Sequence, residues 1–110
     1  MIFDSDGTTT IVLQEKATLK DFLENLARGY HHIKNDHIII NLFSFSKLSK
    51  NDILEFLELS NAHRKLNKSF ILVTDLVSYD DVPDDLCVAP TIQEAKDIIE
   101  MEEIERDLDL

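Results

Sequence analysis

Glycine, proline and cysteine are nearly missing from this chain of 110 residues, which holds two glycines, two prolines, one cysteine and no tryptophan. With Gly7 and Gly29 the only glycines, a glycine-rich phosphate loop and a Gly-x-Ser-x-Gly nucleophile elbow are both excluded. Cys87 stands alone, so it forms neither an internal disulfide nor a Cys-x-x-Cys pair, in agreement with a reducing compartment. Its apolar neighbours predict a buried thiol. No apolar run approaches the ~20 residues of a membrane span, and the first six residues lack the basic start and apolar middle of a signal peptide. A cytoplasmic protein is expected.

Basic side chains are also scarce, and unevenly so. Residues 1 to 74 hold nine acids and nine bases, whereas from Asp75 onward there are thirteen acids against Lys96 and Arg106. The whole net charge of −11 therefore falls in the last third. Such a surface repels phosphate backbones and anionic lipid, so neither nucleic acid nor a membrane is expected as a partner. It suits a basic protein partner, and equally the plain role of keeping a small domain in solution.

What is present is a set of short apolar segments with clear punctuation, in a length that fits one domain, residues 1–110. Met1 to Asp4 and Thr8 to Gln14 are strand-like and flank Ser5-Asp6-Gly7, whose Asp-Gly pair signals an antiparallel hairpin at a sheet edge. Thr18 can cap a helix in which Leu19, Phe22, Leu23, Leu26, Tyr30 and Ile33 recur at helical spacing. The runs His37 to Leu42 and Ser69 to Thr74 are continuously apolar, as parallel strands covered by helices are. Between them Ser49 can cap a helix running to about Leu66, with Asp52 completing a capping box and Leu48 and Ile53 stapling its start. Asp75 to Leu86 carries Pro83 and four central aspartates and is expected at the surface. Cys87 to Ala89 makes a last short strand. Thr91-Ile-Gln-Glu94 is a second capping box, opening an acidic helix over about 91–108. These elements predict an α/β domain: a mixed sheet with an N-terminal antiparallel hairpin and about three helices packed mainly on one side. Ile39, Leu42, Ile71, Val73, Leu19, Phe22, Leu26 and Ile99 are expected to share one core.

This order, and above all the segment from His37 to Thr74 with its helix opened at Ser49-Lys-Asn-Asp52, resembles the STAS domain of bacterial anti-sigma-factor antagonists. The resemblance covers most of the chain and implies a non-catalytic regulatory module that binds another protein. In that family a serine at this helix start is phosphorylated by a kinase partner. Here the matching positions are Lys50 and Asn51, which accept no phosphoester, and Ser49 is better placed as a cap. Ser44 and Ser46 are the other hydroxyls nearby. The family's functional edge corresponds to Phe43, Ser44, Phe45, Ser46, Lys47, Lys50 and Asn51, and exposed loops on a rigid sheet are where recognition commonly sits. The family's helix after the second parallel strand is expected to shrink here to a turn.

A second comparison rests on His32-Ile-Lys-Asn-Asp-His37, one residue from the His-x-His-x-Asp-His pattern of metallo-β-lactamase-like hydrolases, ribonuclease Z among them. The chain is similar to short bacterial proteins that carry a ribonuclease Z label, so a metal-dependent ribonuclease is the alternative function. Its chemistry needs convergent neutral imidazoles and carboxylates around a metal-bound water. Lys34 stands at the central ligand position, and besides His31, His32 and His37 only the lone His63 remains. No metal, no cofactor and no catalysis are therefore expected. A small-ligand site is a third reading and predicts a pocket near Phe43 to Leu48. Tyr30 and Tyr79 stand isolated, and Arg64-Lys65-Asn67-Lys68 is a basic cluster of the kind that closes a helix.

The C-terminal helix divides into two stripes. Ile92, Ala95 and Ile99 can seat it on the sheet. Met101, Ile104 and Leu108 form a second stripe turned well away, ringed by Glu100, Glu102, Glu103, Glu105, Asp107 and Asp109. Either that stripe is an apolar anchor for a groove on a partner chain, or the tail frays past Glu102. The oligomeric state is left open.

Overall fold

Two apolar runs dominate the middle of the chain, and both become strands covered on both faces. In the computed structural model, which describes residues 1–13 and 17–108, the elements are β1 (Ile2–Asp6), β2 (Thr9–Leu13), α1 (Leu19–Ile33), β3 (His37–Asn41), α2 (Lys50–Leu54), α3 (Leu57–Arg64), β4 (Phe70–Val73), a 3-10 turn (Tyr79–Asp81), β5 (Cys87–Ala89) and α4 (Ile92–Leu108). The strands lie in chain order, β1-β2-β3-β4-β5. β1 pairs antiparallel with β2, and the pairs from β2 to β5 are parallel. The expected fold class is the observed one: a mixed sheet with an N-terminal antiparallel hairpin. Gln14, where the second strand was expected to end, lies outside the described residues.

The hairpin closes one residue later than Asp-Gly suggests. Asp6 pairs with Thr9, which leaves Gly7 and Thr8 as the two loop residues. Only Gly7 has a positive φ there, 63°, the pattern of a type II′ turn with glycine first. Gly29 serves a different purpose: a Cβ on it would sit 2.8 Å from Cζ of Phe3, so its absence lets the β1 ring close over α1. At the start of α1, Thr18 Oγ1 accepts the Asp21 N–H at 3.1 Å.

Right-handed crossovers between strands laid down in one direction all pass over the same face of the sheet. Accordingly α1, α2, α3 and the 75–86 segment contribute to one apolar cluster, with Phe22, Leu26, Ile53, Phe56, Val77 and Leu86 against Ile38, Ile40, Leu42 and Leu72. Among the described residues α4 alone covers the other face, where Ala95 and Ile99 meet Ile39, Ile71, Val73 and Ala89. The single core expected from the sequence is thus two. Side chains alternate along a strand, so Ile39, Ile71, Val73 and Ile99 separate from Leu42, Phe22, Leu26 and Leu19 across the sheet.

The single helix expected from Ser49 to about Leu66 is also two. Glu55 N–H donates to Asp52 O at 3.3 Å and Phe56 N–H to Ile53 O at 3.1 Å, a tightened turn with i to i+3 bonds. It keeps Ile53, Phe56, Ser60 and His63 on one buried line. The start is as expected: Ser49 Oγ accepts from Asp52 N at 3.1 Å while Ser49 N donates to Asp52 Oδ2 at 2.9 Å. Thr91 Oγ1 likewise accepts from Glu94 N at 3.0 Å, opening α4. Between β4 and β5 the chain forms a 3-10 turn and no helix longer than it, as expected, although Val77 and Leu86 of that segment are buried. Among the described residues no helix is long and apolar enough to cross a membrane.

Ile71 has no solvent exposure and faces α4. Ile71→Ala is expected to lower the unfolding free energy by about 2–5 kcal/mol through lost burial and a residual cavity. Denaturant unfolding checks this, and an unchanged midpoint would remove Ile71 from the core.

Candidate functional site

The loop after β3 leaves the carboxyl end of the sheet. Asn41 Oδ1 accepts the Phe43 N–H at 3.0 Å, which turns the chain outward and leaves Phe43 48% exposed. Ser44, Ser46 and Lys47 are exposed, as are Lys50 and Asn51 on the first turn of α2. Phe45 is different: it is half-buried, edge-on to Phe22 with ring centroids 5.8 Å apart. The loop is therefore anchored through Phe45 and presents its neighbours. A cavity of about 590 Å³ lies elsewhere and is lined by none of residues 43–48.

The second set of candidate residues is at the opposite end of the domain. α4 spans 17 residues, about 25 Å, while the five residues of β3 span about 17 Å. The helix begins beyond the carboxyl end of β5 and passes the amino ends of β3 and β4 with its last turns overhanging. Met101, Ile104 and Leu108 lie on the overhang, 61%, 54% and 79% exposed, on the side away from the buried Ala95 and Ile99. Loop and overhang therefore form two separate surfaces. Fraying past Glu102 is not observed, because the helix continues to Leu108. Asp109, counted among the acids around this stripe, lies outside the described residues.

A polar network that sequence reasoning missed ties the overhang down. Ser69 Oγ donates to Glu102 Oε1 at 2.6 Å, and Arg106 Nη2 donates to Ser69 Oγ at 3.2 Å. Arg64 Nη1 reaches Glu102 Oε2 at 3.1 Å, so part of the basic cluster pairs across to α4 and does not merely close α3. His37, buried at the first position of β3, accepts the Ser69 N–H on Nδ1 at 3.0 Å and meets Glu103 Oε1 through Nε2 at 2.6 Å. With Nδ1 an acceptor, Nε2 carries the proton and donates to the carboxylate. Burial lowers the pKa of His37, with Glu103 opposing and Lys68 and Arg106 reinforcing.

His63 forms a parallel arrangement inside the first cluster. Its Nδ1 is 2.7 Å from Tyr30 Oη and its Nε2 2.7 Å from the Asp36 carbonyl oxygen. The carbonyl can only accept, so Nε2 donates to it and the Tyr30 hydroxyl donates to Nδ1. Tyr30, isolated in sequence, is thus partnered, and burial raises its pKa. Burial also lowers that of His63; the Asp36 carbonyl opposes, while His37, Lys68 and Arg64 reinforce. In both histidines burial favours the neutral ring.

The residues do not fit a dinuclear metal centre. Both ring nitrogens of His37 and of His63 are engaged by protein groups, and His31 and His32 are exposed on the last turn of α1, their rings 3.9 Å apart and tilted by 40°. Among the described residues no group of three or more His, Cys, Asp or Glu side chains is placed to hold a metal ion.

Cys87, expected to be buried, is only half-buried. It begins the edge strand and lines the 590 Å³ cavity between β5 and α4. Burial and the Glu102 charge raise its pKa, which favours the thiol over the thiolate.

No protein-family model matches the chain, and no curated protein matches it.

Two outcomes follow from these contacts. Ser49→Ala, which removes the α2 cap, is expected to cost about 1 kcal/mol, measured by denaturant unfolding; a loss several times larger would mean that the hydroxyl has a further partner. His63 has a folded-state pKa below its unfolded value of about 6.5, so its share of stability is complete above that pH. It is lost as the pH falls from there through the folded pKa, because the unfolded chain takes up the proton first. Melting temperatures of wild type and His63→Gln from pH 8 to 5 are expected to show a shallower acid decline for the variant, and parallel curves would dismiss the linkage.

Proposed function

We propose that this domain is a non-catalytic regulatory module that binds another protein, of the kind exemplified by anti-sigma-factor antagonists, and that it works without their phosphoacceptor serine. One observation carries the reading: α4 runs past the sheet as a tethered helix with Met101, Ile104 and Leu108 in solvent on one face. Three large apolar side chains at i, i+3 and i+7 are the spacing with which a helix fills an apolar groove. Glu100, Glu105 and Asp107 flank them and are exposed. The partner is then a protein whose apolar groove has a basic rim, and charge attraction would speed the encounter and set its orientation.

The loop from Phe43 to Asn51 is a second contact surface in this reading, with the exposed Phe43 as its anchor. Ser49 has both its hydroxyl and its N–H engaged with Asp52, and Lys50 and Asn51 offer no hydroxyl, so binding is not switched at this helix start. The cytoplasm is the setting that fits the lone thiol and the acidic surface.

Ile104→Asp tests the proposal better than removal of residues 103–110, which would also cut the Glu103 and Arg106 contacts. Affinity purification from the native cell, with partners identified by mass spectrometry, is expected to lose its main partner with the variant while the melting temperature stays that of wild type. Recovery of the same partners at the same yield would dismiss the α4 face as the binding surface.

A further inference from the structure

β1 and β5 are the two edges of the sheet, and the chain treats them differently. β1 carries Asp4 and Asp6, with Asp6 paired to Lys96 at 2.8 Å; charges of this kind deter another strand from adding to an edge. β5, Cys87-Val88-Ala89, has no charge and no proline within it. The Ala89 carbonyl accepts the Thr74 N–H at 3.0 Å, so Ala89 directs its backbone groups inward to β4. By the alternation of a parallel ladder, Val88 directs its N–H and C=O off the edge.

That edge opens into the 590 Å³ cavity, floored by Cys87 and Ala89 and walled by Ile98 of α4, a volume within the range of binding clefts. Its rim is acidic. Asp84 and Asp85 stand on one side and Glu94 on the other, all three exposed and without a cation partner among the described residues. Glu102, deeper in, is already neutralised by Arg64.

We propose that the β5 edge is a docking site for an extended, basic segment of another protein, which adds as a sixth strand beside β5. Its backbone pairs with the Val88 N–H and C=O. An apolar side chain enters the cleft against Ile98, and its lysine or arginine neighbours reach Asp84, Asp85 and Glu94. Backbone pairing supplies affinity in this mode, and alternate side chains supply selectivity. A second copy of this chain is the poorer occupant, since each copy carries a net charge of −11 and would bring the same acidic rim to the contact. The site is distinct from the exposed face of α4 and does not depend on it.

The probe is a short alternating Lys-Val peptide, titrated into the full chain and followed by amide chemical shifts and hydrogen exchange. Binding with new protection of the Val88 N–H is expected. An alternating Lys-Pro peptide of equal charge, which cannot pair as a strand, should bind far more weakly, and a Glu-Val peptide not at all. The double variant Asp84→Lys/Glu94→Lys is expected to weaken the Lys-Val peptide about tenfold or more, with an unchanged melting temperature. Ile104→Asp should bind it like wild type, which separates this site from the α4 face. Equal binding of the Lys-Pro peptide, or binding that leaves the Val88 amide unprotected, would overturn strand addition. Sedimentation of the unliganded chain as a dimer with the Val88 N–H already protected would replace the proposed occupant with a second copy.

Discussion

The packing of α4 over Ile39, Ile71 and Val73 is the contact on which the rest of the fold depends. Ile39 of β3 and Ile71 and Val73 of β4 are buried apolar side chains on the face away from α1–α3, and every crossover before α4 covers the other side of the sheet. A buried aliphatic side chain contributes about 1.5–3 kcal/mol relative to exposure. Leaving these three residues in water would therefore cost about 4.5–9 kcal/mol, a large part of the 5–15 kcal/mol that holds a small domain together. The first half of α4 is obligatory for that reason, despite its many acids. Ala95, with no exposure, packs among Ile39, Ile71, Val73 and Ala89 in that cluster.

The second half of α4 is held by a different force. Past Ile99 it buries no large apolar residue, and its attachment is the network of Glu102, Glu103 and Arg106 with His37, Arg64 and Ser69. Exposed ion pairs are worth up to about 1 kcal/mol. Hydrogen bonds to charged groups that are partly shielded are worth about 1.5–3 kcal/mol. His37 belongs to the second kind: burial favours its neutral ring, whose link to Glu103 is an N–H donated to a carboxylate. Protonation below its lowered pKa would turn that link into an ion pair, so the tether to Glu103 holds in both charge states even though burial disfavours the charged ring. Polar contacts of this strength keep a helix end in place without covering its outer face.

Much of this fold is legible in the sequence, for local reasons. Continuous apolar runs, the Thr18, Ser49 and Thr91 caps and the Asp-Gly turn are encoded within a few residues of where they act. What escapes is encoded at a distance. The break at Glu55-Phe56 carries neither glycine nor proline; it is imposed by the need to bury Ile53, Phe56, Ser60 and His63 together. The division into two cores follows from strand order and crossover hand, neither of which any single segment states. His37 and Ser69 lie 32 residues apart and Tyr30 and His63 33 apart, so their pairing leaves no spacing signature, and nothing in the chain segment around either histidine announces that the ring nitrogens of His37 and His63 serve backbone and side-chain contacts. Of the candidate site, the second stripe of α4 was legible from helical periodicity. Its tether and the β5 cleft were not.

Strand order also decides where recognition can occur. Open α/β sheets commonly bind ligands in a crevice at the carboxyl ends of strands where the order reverses. Here the order never reverses, so the crossovers do not part to form such a crevice, and the loop after Asn41 lies on a closed edge. The surfaces proposed above for binding all lie on the perimeter: that loop at one end, the α4 overhang at the other, and the β5 edge along the side. Charge then separates them. The described acids from Asp75 onward fall on the 75–86 segment and on α4, which border both the β5 cleft and the overhang, while the Phe43 to Asn51 loop carries Lys47 and Lys50. In the reading proposed above, a basic partner would be drawn first to the side of the domain formed by β5 and α4, and contact with the loop would need a second, oppositely charged surface some distance away.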